Sequence, residues 1–332
     1  MEELKKYKQI VQNEINEFTK DVIKIKDDDI KIYELLKEYS LRGKLIRGSL
    51  ILAVNEILTR KVNDNAIKVA LAVELMHSCI LIVDDIIDKD DIRRNKKSMH
   101  ILTQDLIKNS LDLEHDAKSI AQCIALIGTY HSFNLISNLS CETKVISEEF
   151  IRTGLAELNE IIVQQKNDYD LNDIFSIYEN KTARYTITLP IKLAYLISHK
   201  DFDKTIERIT ILLGIIFQLK DDILELEADS NDIGKSNLSD IKAGKKHYPR
   251  KLLEENLNDE DKILFNKYNL NLNDDNAKKI KLLYDKYEIV NKTKNKINDL
   301  NKELDLLINE IKDNKFKSFL IKMKEYIYSR TY

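Results

Sequence analysis

Proline is missing from the first 189 residues of this chain, and only Pro190 and Pro249 occur in all 332. Glycine is nearly as scarce, at seven. Sheet-rich folds spend these residues on frequent turns, so the shortage leaves a chain of helices. The hydrophobic pattern agrees, with apolar residues recurring at steps of three and four and no alternating strand runs. Ile297, Leu300, Leu304, Leu307 and Ile311, spaced 3, 4, 3 and 4, predict a helix that lays one stripe on its neighbours. Polar breaks fall at 27–29, 63–65, 89–98, 229–246 and 266–276. None is long enough for a flexible linker, so residues 1–332 are expected to form a single all-α domain.

Charge excludes several function classes. The 53 Lys and Arg nearly cancel the 56 Asp and Glu, leaving a net charge of -3, so no basic surface recommends a nucleic acid. Cys79, Cys123 and Cys141 form no CxxC pair, and an odd count argues against a disulfide framework, which suits a reducing cytoplasm. The first residues mix acids and bases along an amphipathic pattern, unlike a signal or transit peptide. The longest apolar stretch, 66–83, carries Lys68, Glu74 and His77 and runs into Asp84, so no membrane span is expected.

Two segments are apolar almost all round, 69–87 and 209–226, and such helices belong in an interior. Each ends in acids. The first reads ILIVDDIID and the second FQLKDDILE, so Asp84, Asp85 and Asp88 are matched 137 positions later by Asp221, Asp222 and Glu225. Within each cluster the outer acids share a helix face, and the middle one lies about 100° round. Three carboxylates on one turn repel each other, and a helix C-terminus is the wrong end for negative charge, so a cation must compensate. All-oxygen ligands favour magnesium, which keeps waters and completes its shell with substrate phosphates, so two facing clusters would clamp a diphosphate. The other acid runs, at 27–29, 90–91 and 274–275, read as solvated turns.

Basic residues flank both clusters. Lys44 and Arg47 stand in Gly43-Lys44-Leu45-Ile46-Arg47-Gly48 beside a mobile glycine at the start of a predicted helix. Arg93 and Arg94 follow the first cluster; Lys235 and Lys245 follow the second. Arginine suits bidentate phosphate contact. Gly234-Lys235-Ser236 imitates the end of a P-loop, but the required earlier glycine is Asp229 and no strand precedes it. Glu74 and His77 have the E-x-x-H spacing of di-iron bundles but no second copy; His77, two turns before Asp84, is expected to face the same cavity.

Taken together, ELMHSCILIVDDIID with Arg93-Arg94, NKTARYTITLP, and GIIFQLKDDILELEADSNDIGKSNLSDIKAGKKHYP resemble the trans-polyprenyl diphosphate synthases, over Gly43 to about Pro249. The resemblance implies an isoprenoid-synthase-type helical bundle around a deep central cavity, usually homodimeric, with three magnesium ions. It implies that Asp84, Asp85, Asp88, Asp221, Asp222 and Glu225 bind these metals. Arg93, Lys181, Gln218, Lys235 and Lys245 would contact an allylic diphosphate, while Lys44, Arg47, His77 and Arg94 would hold isopentenyl diphosphate. Thr182 would help position the reacting carbon, and Gln165 and Asp168 match a weaker pattern.

Such an enzyme ionises the allylic C–O bond, and the double bond of isopentenyl diphosphate attacks the carbocation, so no Ser or Cys nucleophile is needed. Departures from the family pattern are Glu225 for the third Asp, Val83 for a frequent His, Asn95 for Gly, Gly48 for Pro and His247 for Thr. In the family, aromatics four and five residues before the first Asp form a floor that stops chain growth. Here Ile80 and Cys79 stand there, and Met76, roughly 12 Å from Asp84 along the helix, is the next obstacle. A product of geranylgeranyl length or somewhat longer is therefore expected, unless Tyr130 or Phe133 closes the cavity. Rival readings are a terpene synthase, which the second acid pattern disfavours, and a non-catalytic partner subunit of a prenyl synthase.

Overall fold

The computed structural model describes residues 4–227 and 238–329. Chain contacts divide the protein into two compact units, one running to Ser147 and including Pro190–Phe202, the other Glu148–Leu189 with the chain from Asp203 onward.

The first unit holds α1 (Leu4–Glu17), α2 (Ile30–Leu41), α3 (Ile46–Thr59), α4 (Asp64–Ile87), α5 (Met99–Thr103) and α6 (Leu113–Leu135). Asn63 caps α4 by accepting from the Ala66 amide, which explains the polar break before it. From there α4 buries nearly its whole circumference, as an all-round apolar helix must. It is long and apolar enough to cross a membrane, but 72% of its apolar window is buried inside the protein, as in a core helix. The helix ends at left-handed Lys89, with the Asp90 amide closing back to the Asp85 carbonyl. A minimal hairpin follows, β1 (Ile92–Arg93) paired antiparallel with β2 (Lys96–Lys97). Its two turn residues, Arg94 and Asn95, both have positive φ, as a two-residue turn of this hand requires.

From α7 (Ser140–Gln165) the chain enters the second unit. This unit contains α8 (Leu171–Ile177), an eleven-residue π-helical segment, Tyr178–Thr188, then α10 (Lys204–Glu227), α11 (Ser239–Lys242), α12 (Tyr248–Asn256), α13 (Asp259–Asn269), α14 (Asp274–Lys286), α15 (Ile289–Glu310) and α16 (Asn314–Tyr328). α9 (Leu189–Ile197) starts at the unit boundary. The predicted stripe appears on α15, where Ile297 and Leu304 are fully buried. Ile308 ends it in place of Ile311, because Ile311 already has extended backbone at the helix C-cap. Apart from β1 and β2 the described residues contain no strands, so the all-α expectation holds.

Candidate active site

In both acid clusters the middle carboxylate turns inward. Asp85 is completely buried, and its Oδ2 accepts from the Tyr39 hydroxyl at 2.6 Å. Arg93, delivered by the hairpin, spans the cluster, with Nε donating to Asp85 Oδ1 and Nη2 to Asp84 Oδ2 at 2.8 Å. Burial raises the Asp85 pKa against the opposing pull of Tyr39 and Arg93. Asp88, on the C-cap, is exposed.

The cations expected for isopentenyl diphosphate gather in this same unit. Lys44 sits in the loop before α3, Arg47 in its first turn, and a Cβ on Gly43 would come within 3.0 Å of Arg94 Nη1. His77 is held well below its usual pKa by burial and then by the charges of Arg47, Arg94 and Arg93. A neutral imidazole results. The left-handed residue before α3 is Leu45, φ 53°, rather than Gly43 or Gly48.

The second unit repeats the carboxylate arrangement. Asp222, 4% exposed, accepts from the Tyr178 hydroxyl and from Gln218 Nε2 at 2.9 Å. The Tyr248 amide in turn donates to the Tyr178 oxygen at 2.8 Å, and the Thr182 hydroxyl donates to Gln218 Oε1, also at 2.8 Å. Desolvation pushes the Asp222 pKa up to about 7, although Tyr178, Gln218 and Lys245 oppose it. Lys181, Thr182, Gln218, Asp222 and Lys245 line one small cavity of about 60 Å³ with Glu160 and Tyr178. Lys181 is held there by Glu157 at 2.7 Å and Glu160 at 2.5 Å, both from α7. Lys245 lies 3.6 Å from Asp240.

Sequence reasoning missed Tyr39, Tyr178, Glu157 and Glu160. No motif announces them, since each meets its partner from another element. Gln165 and Asp168 are exposed, whereas Gln164 accepts from the Lys246 amide at 3.1 Å and Lys246 Nζ binds the Val163 and Gln164 carbonyls. Lys235 lies outside the described residues, as does any description of the Glu225 side chain.

The donor chemistry fits a hard divalent cation. Among the described residues no three acids, His or Cys converge on one point, so protein alone would supply few ligands, as magnesium tolerates when water and phosphate complete its shell. Arg93 already occupies the place of a counter-ion across Asp84 and Asp85, and buried Asp222 has a carboxyl whose charge a cation would stabilise.

The polyprenyl synthetase family profile matches residues 30–287. The chain belongs to this family. Geranylgeranyl pyrophosphate synthase 7 of Arabidopsis thaliana is 30% identical over 267 residues, covering 76% of this chain and 73% of that protein. Farnesyl diphosphate synthase of Haemophilus influenzae is 29% identical, covering 74% of this chain and 83% of that protein. In fold, the chain is similar to geranylgeranyl pyrophosphate synthase from Corynebacterium glutamicum, a structure with isoprenyl diphosphate and magnesium, with a TM-score of 0.88 at 18% identity over 98% of this chain and 99% of that one. This polyprenyl synthetase is accordingly a prenyltransferase that elongates prenyl chains.

Several departures from the family pattern have local explanations. Asn95 stands at φ 59°, a conformation that asparagine tolerates better than most residues with a Cβ. His247 caps α12, its Nδ1 accepting from the Arg250 amide at 3.0 Å, so it does there what a threonine hydroxyl could. Gly48 packs against Glu74 with no room to spare. Of the chain-length candidates, Met76 is fully buried and Ile80 partly exposed, while Cys79 packs on α6, where a Cβ on Gly128 would lie 2.5 Å from its sulfur. Tyr130 is 71% exposed.

Proposed function

We propose that this prenyltransferase condenses isopentenyl diphosphate head to tail with an allylic diphosphate, giving a trans-polyprenyl diphosphate of geranylgeranyl length or somewhat longer. The observation that carries the reading is the duplicated carboxylate arrangement, a buried aspartate at the end of each apolar helix, gripped by a tyrosine and a second donor. Asp84, Asp85, Asp88, Asp221, Asp222 and Glu225 would hold magnesium, three ions in all. When bound, the metal neutralises the departing diphosphate.

The chain's own groups do the rest. Arg93, Lys181, Lys235 and Lys245 bind diphosphate oxygens, with Arg93 leaving its carboxylates and Lys181 its glutamates to do so. The allylic C–O bond breaks with its electron pair going to the diphosphate. The Thr182 hydroxyl and Gln218 carbonyl, already aligned on each other, offer dipoles to the electron-poor carbon. The isopentenyl double bond then forms the new C–C bond, and the proton lost from the adjacent carbon passes to a diphosphate oxygen.

We further propose that the whole chain acts as one catalytic domain, as a cytoplasmic homodimer. Its trace supports the first point, because each unit is assembled from segments separated in sequence. Exposed apolar stripes support the second: Leu126 and Tyr130 on α6, and Ile151, Leu155, Leu158 and Ile162 on α7. A second copy is the occupant that fits; light scattering should give twice the chain mass, and Leu155→Glu with Leu158→Glu should give monomer.

Purified protein incubated with magnesium, isopentenyl diphosphate and dimethylallyl, geranyl or farnesyl primers should yield extractable prenyl diphosphates whose formation stops on chelation. Absence of product from every primer, in dimeric protein, would reject the reading.

A further inference from the structure

The Glu74 of the unmatched E-x-x-H has a job in the first unit. Helix α3 starts directly after Leu45, whose left-handed backbone and apolar side chain leave the first-turn amides without a local cap. Glu74, fully buried on α4, supplies the acceptor. The Gly48 amide donates to its Oε1 at 2.7 Å, and the Arg47 amide donates to the same carboxyl. A carboxylate at this end also suits the positive pole of the helix dipole.

Glycine leaves the closest approach, and any Cβ there would press on its neighbours. A Cβ on Gly48 would lie 3.0 Å from Glu74 Cγ, 3.1 Å from Val11 Cγ2 and 3.2 Å from the Ala70 carbonyl. The carboxyl also feels the charges of both Arg47 and Arg94, which depress its pKa against the rise that burial imposes. Those guanidiniums repel each other, and Arg94 loses proton affinity to burial, Arg93 and Arg47 while Glu74 restores some of it.

We infer that Glu74 is a positioning residue for isopentenyl diphosphate: it fastens Arg47 at the start of α3 and lets Arg47 and Arg94 stand together before the substrate's diphosphate arrives. The inference rests on the reading that Lys44, Arg47, His77 and Arg94 take that substrate. A helix start held from a neighbouring helix presents its cations in one geometry; released, it must be ordered at the expense of binding.

The test is a two-substrate kinetic analysis of wild type, Glu74→Ala, Glu74→Gln and Gly48→Ala, with calorimetric binding of isopentenyl diphosphate alone. Glu74→Ala should raise KM and Kd for isopentenyl diphosphate about tenfold or more, leaving KM for the allylic primer nearly unchanged. Glu74→Gln keeps an acceptor oxygen and should recover much of the loss. Gly48→Ala retains the carboxylate but pushes it away, and should move the same constant in the same direction. If Glu74→Ala does not fold, the other two variants decide. Unchanged KM and Kd for isopentenyl diphosphate, or an equal rise for both substrates, would overturn the inference. A wild type that binds isopentenyl diphosphate but elongates nothing would sink the proposed condensation and leave Glu74 to be judged by calorimetry.

Discussion

A carboxylate inside a helical interior keeps its charge only where donors or cations meet it, and here each middle acid has recruited a tyrosine. Tyr178 shows how much hangs on one hydroxyl, which donates to Asp222 and accepts from the Tyr248 amide. Tyr178→Phe should therefore cost about 1–3 kcal/mol in urea unfolding, since a buried amide and a buried carboxylate each lose a partner. A loss below about 0.5 kcal/mol would mean that water takes over the oxygen's place. The acids themselves were legible, because Asp and Glu at the end of an apolar run have few bland explanations. Their tyrosines were not, lying 46 and 44 positions upstream in segments with no distinguishing pattern. Cys79 makes the same point. It stands where the family's aromatics form a floor, and its neighbour on α6 could not be read from that position: a Cβ on Gly128 would lie 2.5 Å from its sulfur, and burial pushes its thiol up to about 12. Maleimide at neutral pH should label Cys123 and Cys141, both exposed, and reach Cys79 only after denaturation. Rapid labelling of all three in native protein would place Cys79 on an open channel instead.

Among the elements, the helical class and breaks such as those at Asn63 and at the hairpin after Lys89 follow from periodicity and polar punctuation. The π-helical stretch at Tyr178–Thr188 could not be read this way, because its hydrogen-bond register depends on what packs against it. What packs there is α10, at Gly214. A Cβ on that residue would fall 2.3 Å from Ala183 Cα and 2.4 Å from its Cβ, so the two backbones touch where only glycine fits. One turn on from Gly214 stands Gln218, and beside Ala183 stands Thr182; the close contact sets their 2.8 Å hydrogen bond. Gly214→Ala should thus cost about 1–3 kcal/mol from overpacking despite the better helix propensity of alanine. It should also lower kcat for chain elongation, because the Thr182 and Gln218 dipoles would separate. A variant as stable and as fast as wild type would show that α10 can slide away without consequence.

At the scale of the whole molecule, two compact units share the chain in alternation. The first unit is not finished at Ser147; it needs Pro190–Phe202, which arrives only after the chain has built part of the second. Fully buried Asn55 shows why. Its Nδ2 donates to the Ser198 hydroxyl at 2.9 Å, 143 residues away, while its Oδ1 accepts from the Asn63 amide at 3.1 Å and so fixes the turn into α4. A fragment ending at Ser147 would leave Asn55 Nδ2 without its Ser198 partner and uncover the surface on which 190–202 rests. Such long-range closure is entropically costly and comes late, so the fragment should lack a cooperative thermal transition. Joining 190–202 to its end through a flexible linker should restore one, because the missing partner then returns at high effective concentration. If the bare fragment melted as sharply as the intact chain and at the same temperature, the later segment would be dispensable, and the first unit would have to be regarded as an independent domain.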